Sequence, residues 1–267
     1  MEQRKVALIT GGSKGLGKSS ALHLAEDGFD IIINYHQDQE AAIQVVKQIE
    51  QIGQQAFAIQ GDVTQYGDMK KMFEQIEQTY GRIDVFVHSV GPFIRKRKTF
   101  YEMEMSEVLT MINGNLLSAM ITTKFVLPLM RKQRFGRIIY FGFHRAVEAP
   151  AWPDRSAYAA AKVGLVSFCK TLAVEEAPFG ITVNMICPSD IIGENKEKQI
   201  DEVLGMKDKE SLRERPGTGE DVARVVLFLT KEKSDFITGS CISVSGGLDI
   251  IHPISKQFQN IQYNKEK

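Results

Sequence analysis

Seven short runs rich in β-branched and other apolar residues recur along this 267-residue chain, separated by stretches whose apolar residues repeat with helical period. The runs are Lys5–Thr10, Asp30–Asn34, Ala56–Gln60, Ile83–His88, Arg137–Phe141, Thr182–Ile186 and Cys241–Val244. Most are apolar without a break, as a strand covered on both faces requires. Between them, Met69, Met72, Phe73, Ile76 and Tyr80 follow i, i+3, i+4, i+7, i+11, and Val108 to Met130 and Val222 to Leu229 form similar stripes. Strand and helix in alternation are βαβ units, so the expected architecture is α/β: one doubly wound parallel sheet of about seven strands with helices on both faces. Neither a repeat nor a low-complexity linker divides the chain, and residues 1–250 read as one domain with a tail at 251–267. Segment 189–215 is polar, charged and long for a connection, the character of a lid.

Composition narrows the function classes. Lys and Arg number 33 and Asp and Glu 33, for a formal net charge of +0, so no basic face asks for nucleic acid. The N-terminus enters the first strand without a signal-like apolar stretch, and no apolar run approaches the ~20 residues that span a bilayer. Cys169, Cys187 and Cys241 lie far apart in apolar surroundings and lack metal-ligand spacing. They read as reduced core thiols, and the expected location is the cytoplasm, with no metal and no membrane partner.

After the first strand comes Thr10-Gly11-Gly12-Ser13-Lys14-Gly15-Leu16-Gly17, leading into a helix. Glycines there permit a tight turn and close approach of the backbone to a pyrophosphate, and the helix N-terminus offers free N–H groups to the phosphates. Glycine spacing alone is weak, but its place at the first strand-to-helix turn of a Rossmann-type sheet is the context that a dinucleotide needs. An NAD site usually adds a carboxylate about 20 residues on, for the ribose 2′-hydroxyl. Here the second strand ends Asn34-Tyr35-His36 with no acid before Asp38, while Lys14 puts a cation in the turn, with His36 as a possible assistant. That combination favours NADP.

Tyr158 and Lys162 stand at i and i+4 in Ser156-Ala157-Tyr158-Ala159-Ala160-Ala161-Lys162, on one face of a helix. A phenol of ordinary pKa near 10 becomes a usable acid or base when an ammonium lies beside it.

With the glycine turn, the alternation and this pair at these separations, the chain from Arg4 to Leu248 resembles the short-chain dehydrogenase/reductase family, in its branch of about 250 residues. The resemblance implies that Gly11, Ser13, Gly15, Leu16 and Gly17 hold the dinucleotide, that Asp62 and Val63 contact adenine, and that Ser89, Gly91 and Pro188 border the cofactor. It implies that Tyr158 is the acid/base, that Lys162 lowers its pKa and holds the nicotinamide ribose, and that Asn115 anchors a proton relay. Three departures stand out. His88-Ser89-Val90-Gly91 replaces the family's Asn-Asn-Ala-Gly, Phe143 occupies the place of the catalytic serine, and Gly193 replaces a threonine that meets the nicotinamide amide. His144 is the nearest candidate to supply the missing donor.

The implied activity is NADP-dependent reduction of a carbonyl to an alcohol, a 3-oxoacyl thioester on a carrier protein being the first substrate to consider. Arg95-Lys96-Arg97-Lys98 near the expected mouth would suit an anionic substrate, although such runs are commonly solvated loops. Enoyl reductases of related fold space tyrosine and lysine by about seven residues, where this chain has Arg155. A pteridine-reductase-like enzyme, or a catalytically weak NADP-binding sensor or scaffold, are the alternatives. The family commonly forms homotetramers or homodimers.

Overall fold

The computed structural model describes residues 4–209, 211–249 and 251, so nearly all of the expected tail lies outside the described residues. Seven strands are present: β1 Val6–Thr10, β2 Asp30–Tyr35, β3 Ala56–Gln60, β4 Val85–His88, β5 Gly136–Phe141, β6 Ile181–Pro188 and β7 Cys241–Val244. They form one sheet in the order β3-β2-β1-β4-β5-β6-β7, with every pairing parallel. The expected doubly wound α/β architecture is what the chain adopts, with strand bounds shifted by a residue or two.

Unbroken burial explains the unbroken apolar runs. Along β1, Val6 and Leu8 enter the core on one face while Ala7 and Ile9 enter the core on the other. The helices α1 (Gly15–Glu26), α2 (Gln39–Ile52) and α7 (Gly219–Thr230) cover the second of these faces. On the first lie α3 (Tyr66–Thr79), α4 (Met105–Ile112), α5 (Ser118–Gln133) and α6 (Ser156–Glu176). Helix α6 with its terminal turn, Ser156–Phe179, is long and apolar enough by length and composition to cross a membrane, where the sequence promised no such run. The helix carries Lys162 and Lys170 and is half buried as a core helix against β6 and α4.

Winding reverses between β1 and β4, so their C-terminal ends flank the crevice in which ligands of such sheets bind. Beneath it lies a buried polar line. His88, 1 % exposed, shares hydrogen bonds with Thr10 Oγ1 through Nδ1 (2.9 Å) and with Ser118 Oγ through Nε2 (3.1 Å). Ser118 in turn donates to the Gly114 carbonyl (2.8 Å). Burial, then the nearby Lys162 ammonium, push His88 down from 6.5 to about 3, so it is neutral in the folded protein.

The unfolded chain therefore takes up a proton below pH 6.5 that folded His88 refuses until about pH 3, and stability contributed above pH 6.5 is lost as pH falls through that window. Between pH 7 and pH 5 this group should remove about 2 kcal/mol from the unfolding free energy. His88→Asn should lower stability at pH 7 yet flatten its dependence on pH by that amount. Urea unfolding at the two pH values measures both, and an unchanged slope refutes the assignment.

Candidate active site

The glycine turn leaves β1 with Gly11 at φ +64° and Gly15 at φ +59°, conformations that disfavour a side chain. At Gly17 the constraint is space, because a Cβ there would lie 2.4 Å from the Gly11 carbonyl oxygen. The first N–H of α1, from Gly15, donates to Glu197 Oε1 (2.7 Å), while those of Leu16 and Gly17 have no protein acceptor among the described residues. Ser13 lies within the turn, and Ser89 follows β4 with its N–H on the Thr10 carbonyl (3.1 Å).

At the end of β2 a cleft of about 350 Å³ is lined by His36, Gln37, Gln60, Asp62, Asp68 and Lys71. His36 Nε2 stands 3.9 Å from Asp62 Oδ2. Asp62 Oδ1 accepts from the Thr64 N–H (2.9 Å) and hydroxyl (2.8 Å), and Val63 is buried. Lys14 is ion-paired with Asp38, which also caps α2 by accepting from the Ala41 N–H (2.9 Å). The sequence placed Lys14 and Asp38 24 residues apart without joining them, and it missed Lys71 altogether; neither contact has a local signal.

Around Tyr158 the structure brings together the expected pair and Asn115. Lys162 is buried, and its Nζ donates to the Phe141 carbonyl at the end of β5 (2.8 Å). Burial lowers Lys162 from 10.5 to about 8. Asn115 sits in a π-turn, Asn113–Leu117, that carries α4 into α5. Its Nδ2 donates to the Pro92 (2.9 Å) and Met111 (3.0 Å) carbonyls, while its buried Oδ1 has no partner. A Cβ on Gly91 would fall 2.8 Å from that Oδ1 and 3.0 Å from Lys162 Nζ, so the three groups border one point. An orphaned acceptor beside an ammonium, in a cradle that any side chain at Gly91 would fill, fits a ligand or relay water placed there.

The phenol differs from expectation. Tyr158 is ringed by Phe93 (centroids 4.9 Å apart, edge-on), Trp152 (6.0 Å) and Phe143 (6.1 Å). Burial, with smaller contributions from Cys187 and Asp190, raises its pKa above 10 rather than lowering it. The Lys162 ammonium, one helical turn on, is directed to the Phe141 carbonyl. Phe143, 2 % exposed, packs on Trp152 (5.0 Å) and forms part of this collar where a serine hydroxyl would stand.

The backbone N–H of His144 donates to the carbonyl of Pro188, the last residue of β6 (3.2 Å), and its buried Nδ1 has no partner among the described residues. Phe143 beside it packs into the core on the first face of the sheet. Gly193 begins a 3-10 turn with open space where a Cβ would point, so it supplies no contact in place of a threonine.

The mouth lies between the loop after β4 and the start of α6, lined by Phe93, Ile94, Met103, Met111, Arg155 and Tyr158. Arg155 closes it. Its guanidinium donates to the Arg95 (2.8 Å) and Lys96 (3.0 Å) carbonyls and lies 4.8 Å over the Phe93 ring. The basic run is partly neutralised, with Lys98 on Glu107 (2.5 Å) and Arg97 on Asp154 (3.6 Å). Arg95 and Lys96 form no ion pair among the described residues.

With this geometry in hand, the comparisons agree on its kind. A family model described as enoyl-(acyl carrier protein) reductase matches residues 11–249. The chain is 44% identical to "Putative oxidoreductase YtkK" of Bacillus subtilis over 92% of this chain and 97% of that protein. It is 34% identical to the 3-oxoacyl-[acyl-carrier-protein] reductase FabG of Staphylococcus epidermidis, over 91% and 98%. A solved structure titled as a putative 3-oxoacyl-reductase from Bacillus thuringiensis superposes with TM-score 0.86 at 44% identity, covering 93% of this chain and all of that one. The acetoin dehydrogenase YohF of Salmonella typhimurium gives 0.83 at 29%, covering 94% and 98%. The chain belongs to the short-chain dehydrogenase/reductase family of oxidoreductases.

Gly91→Ala should destabilise the fold by about 1–3 kcal/mol, because the methyl group must displace Asn115 or Lys162. Gly67→Ala in α3, where a Cβ meets nothing, should instead be neutral or stabilising by up to about 1 kcal/mol. Denaturant midpoints of the two variants provide the comparison.

Proposed function

We propose that this protein is a reductase that transfers hydride from NADPH to a carbonyl carbon while Tyr158 protonates the carbonyl oxygen. The observation that carries this reading is the convergence of Tyr158, Lys162 and Asn115 beside a glycine turn shaped for a dinucleotide. The nicotinamide cofactor supplies the hydride. Gly11, Gly15 and Gly17 admit its phosphates, Lys162 and Gly91 border its ribose end, and Asn115 Oδ1 is the open acceptor for a relay water. The phenol is protonated at neutral pH and so holds the proton that the carbonyl oxygen requires.

NADP is favoured over NAD by the lack of a carboxylate at the Asn34-Tyr35-His36 strand end and by the cations Lys14 and Lys71 about the cleft. A 2′-phosphate would compete with Asp38 for Lys14. For the substrate, the names of the relatives support a 3-oxoacyl thioester or another small carbonyl compound, and Arg95 and Lys96 offer uncommitted charge to an anionic carrier. Arg155, at the place where related enoyl reductases carry their tyrosine, weighs against enoyl reduction. A cytoplasmic location and a homotetramer or homodimer complete the reading; exposed Met105 and Leu109 on α4 and Leu117 in the π-turn suit burial against a second copy, which light scattering tests.

NADPH oxidation with a panel of 3-oxoacyl thioesters, quinonoid pterins and diketones tests the activity. Tyr158→Phe should lower kcat at least about 10³-fold with NADPH affinity retained, and kcat/KM should decline above about pH 8 as Lys162 loses its proton. Tight NADPH binding with no turnover on any substrate would establish the sensor reading instead.

Arg155→Met should raise KM for the carbonyl substrate about tenfold while leaving NADPH affinity unchanged, since two donors and the clamp on Phe93 are lost. Arg155→Lys should not restore it, because one ammonium cannot reproduce the forked contact. Steady-state kinetics with separate cofactor titration distinguishes KM from nucleotide affinity.

A further inference from the structure

Glu197 belongs to the lid-like segment, at the end of the 3-10 turn Gly193–Lys196, yet its carboxylate lies on the glycine turn 182 residues away. Oε1 accepts the Gly15 N–H at 2.7 Å and Oε2 accepts Lys18 Nζ at 2.8 Å. The side chain of Lys196 lies over Gly15, with its Cδ 3.6 Å from where a Cβ would stand. Beyond Glu197 the segment is fastened to α7, where Ile200 N–H donates to Glu220 (2.6 Å) and the Lys196 carbonyl presses on Gly219. Lys14, the residue preceding α1, provides no side-chain cap, so Glu197 is the group that caps this helix. Burial raises its carboxyl pKa, but the Gly15 N–H and Lys18 more than offset this and hold it below the ordinary range, so it is ionised at neutral pH.

An N–H at the start of this helix is also where the phosphates of a bound dinucleotide are held. Carboxylate and diphosphate are both anions seeking the same donors. Both cannot take the Gly15 N–H, and their mutual repulsion is strong in a partly buried site.

We propose that Glu197 is an intramolecular occupant of the diphosphate seat, which the cofactor must displace, releasing segment 193–200 from the glycine turn and freeing Lys18 for the phosphates. This rests on the dinucleotide reading above. A contact made only by the empty protein counts against binding by its full strength. Removing the charge therefore strengthens nucleotide binding while weakening the empty fold.

The experiment is fluorescence titration of NADPH, with thermal melts of the empty and NADPH-saturated full chain, for wild type, Glu197→Gln and Glu197→Ala. Adenosine 2′-monophosphate, which lacks the diphosphate, is the control ligand. Both variants should bind NADPH about tenfold more tightly, as expected for loss of a charge-assisted hydrogen bond from the empty state. Their affinity for adenosine 2′-monophosphate should be unchanged. The empty variants should melt below wild type, and the saturated ones at the same temperature. Unchanged or weaker NADPH binding, with wild type binding normally, overturns the role of Glu197. An equal gain for adenosine 2′-monophosphate also overturns it, since that would be a general charge effect. Wild type that binds neither NADPH nor NADH removes the dinucleotide reading itself.

Discussion

A buried ammonium is the constraint around which this site is arranged. Lys162 enters the core from α6 and is held by a single acceptor among the described residues, the Phe141 carbonyl at the end of β5. A cation removed from water is costly unless its donors are used, so the groups around it must admit either an acceptor or water. Gly91 contributes no side chain, Asn115 turns an unpartnered oxygen toward the same point, and the π-turn sets that asparagine against Pro92. The charge also governs what lies behind it. His88 must stay neutral, and it does so by sharing its two nitrogens between Thr10 and Ser118, which joins the glycine turn to the helix that carries Asn115.

The aromatic collar is the second organising feature, and it changes what a tyrosine–lysine pair can be expected to do. Phe93, Phe143 and Trp152 crowd the half-buried ring of Tyr158 and favour its neutral form. A serine at the position of Phe143 would offer a hydrogen bond to the substrate carbonyl; a phenyl ring offers only shape and a dry surface. On the proposed reading, catalysis in such a site would lean on positioning and on the phenol as a proton donor, with less help from neutral donors. The loop that supplies Phe93 is held down by Arg155, the residue preceding the helix that carries Tyr158, so mouth and phenol are anchored at the same helix start.

The fold was legible because its signal is local and redundant. Burial on both faces of each strand leaves an apolar run that can be read within five or six residues, and the switch point follows from the order of units. The candidate site was readable for the same reason: Gly11, Gly15 and Gly17, and likewise Tyr158 and Lys162, stand in short spacings. What escaped depends on contacts between distant positions. His88 acquires its partners from residues 78 and 30 positions away. Lys14 reads as a free cation in sequence and is paired in space.

The two cationic elements of the site are met internally in different measure. The start of α1 gives its Gly15 N–H and Lys18 to the Glu197 carboxylate, whereas Lys162 spends one of its three N–H donors on the Phe141 carbonyl. On the proposal above, a phosphate at α1 exchanges partners, and its affinity measures how much better it is than Glu197; an acceptor at Lys162 adds to the carbonyl already there. The exchange at α1 has a structural consequence, because giving up Glu197 loosens a segment whose other fastening is at α7. Nucleotide affinity would then be coupled to that segment through a single carboxylate, on a helix whose N-cap residue supplies no side-chain cap.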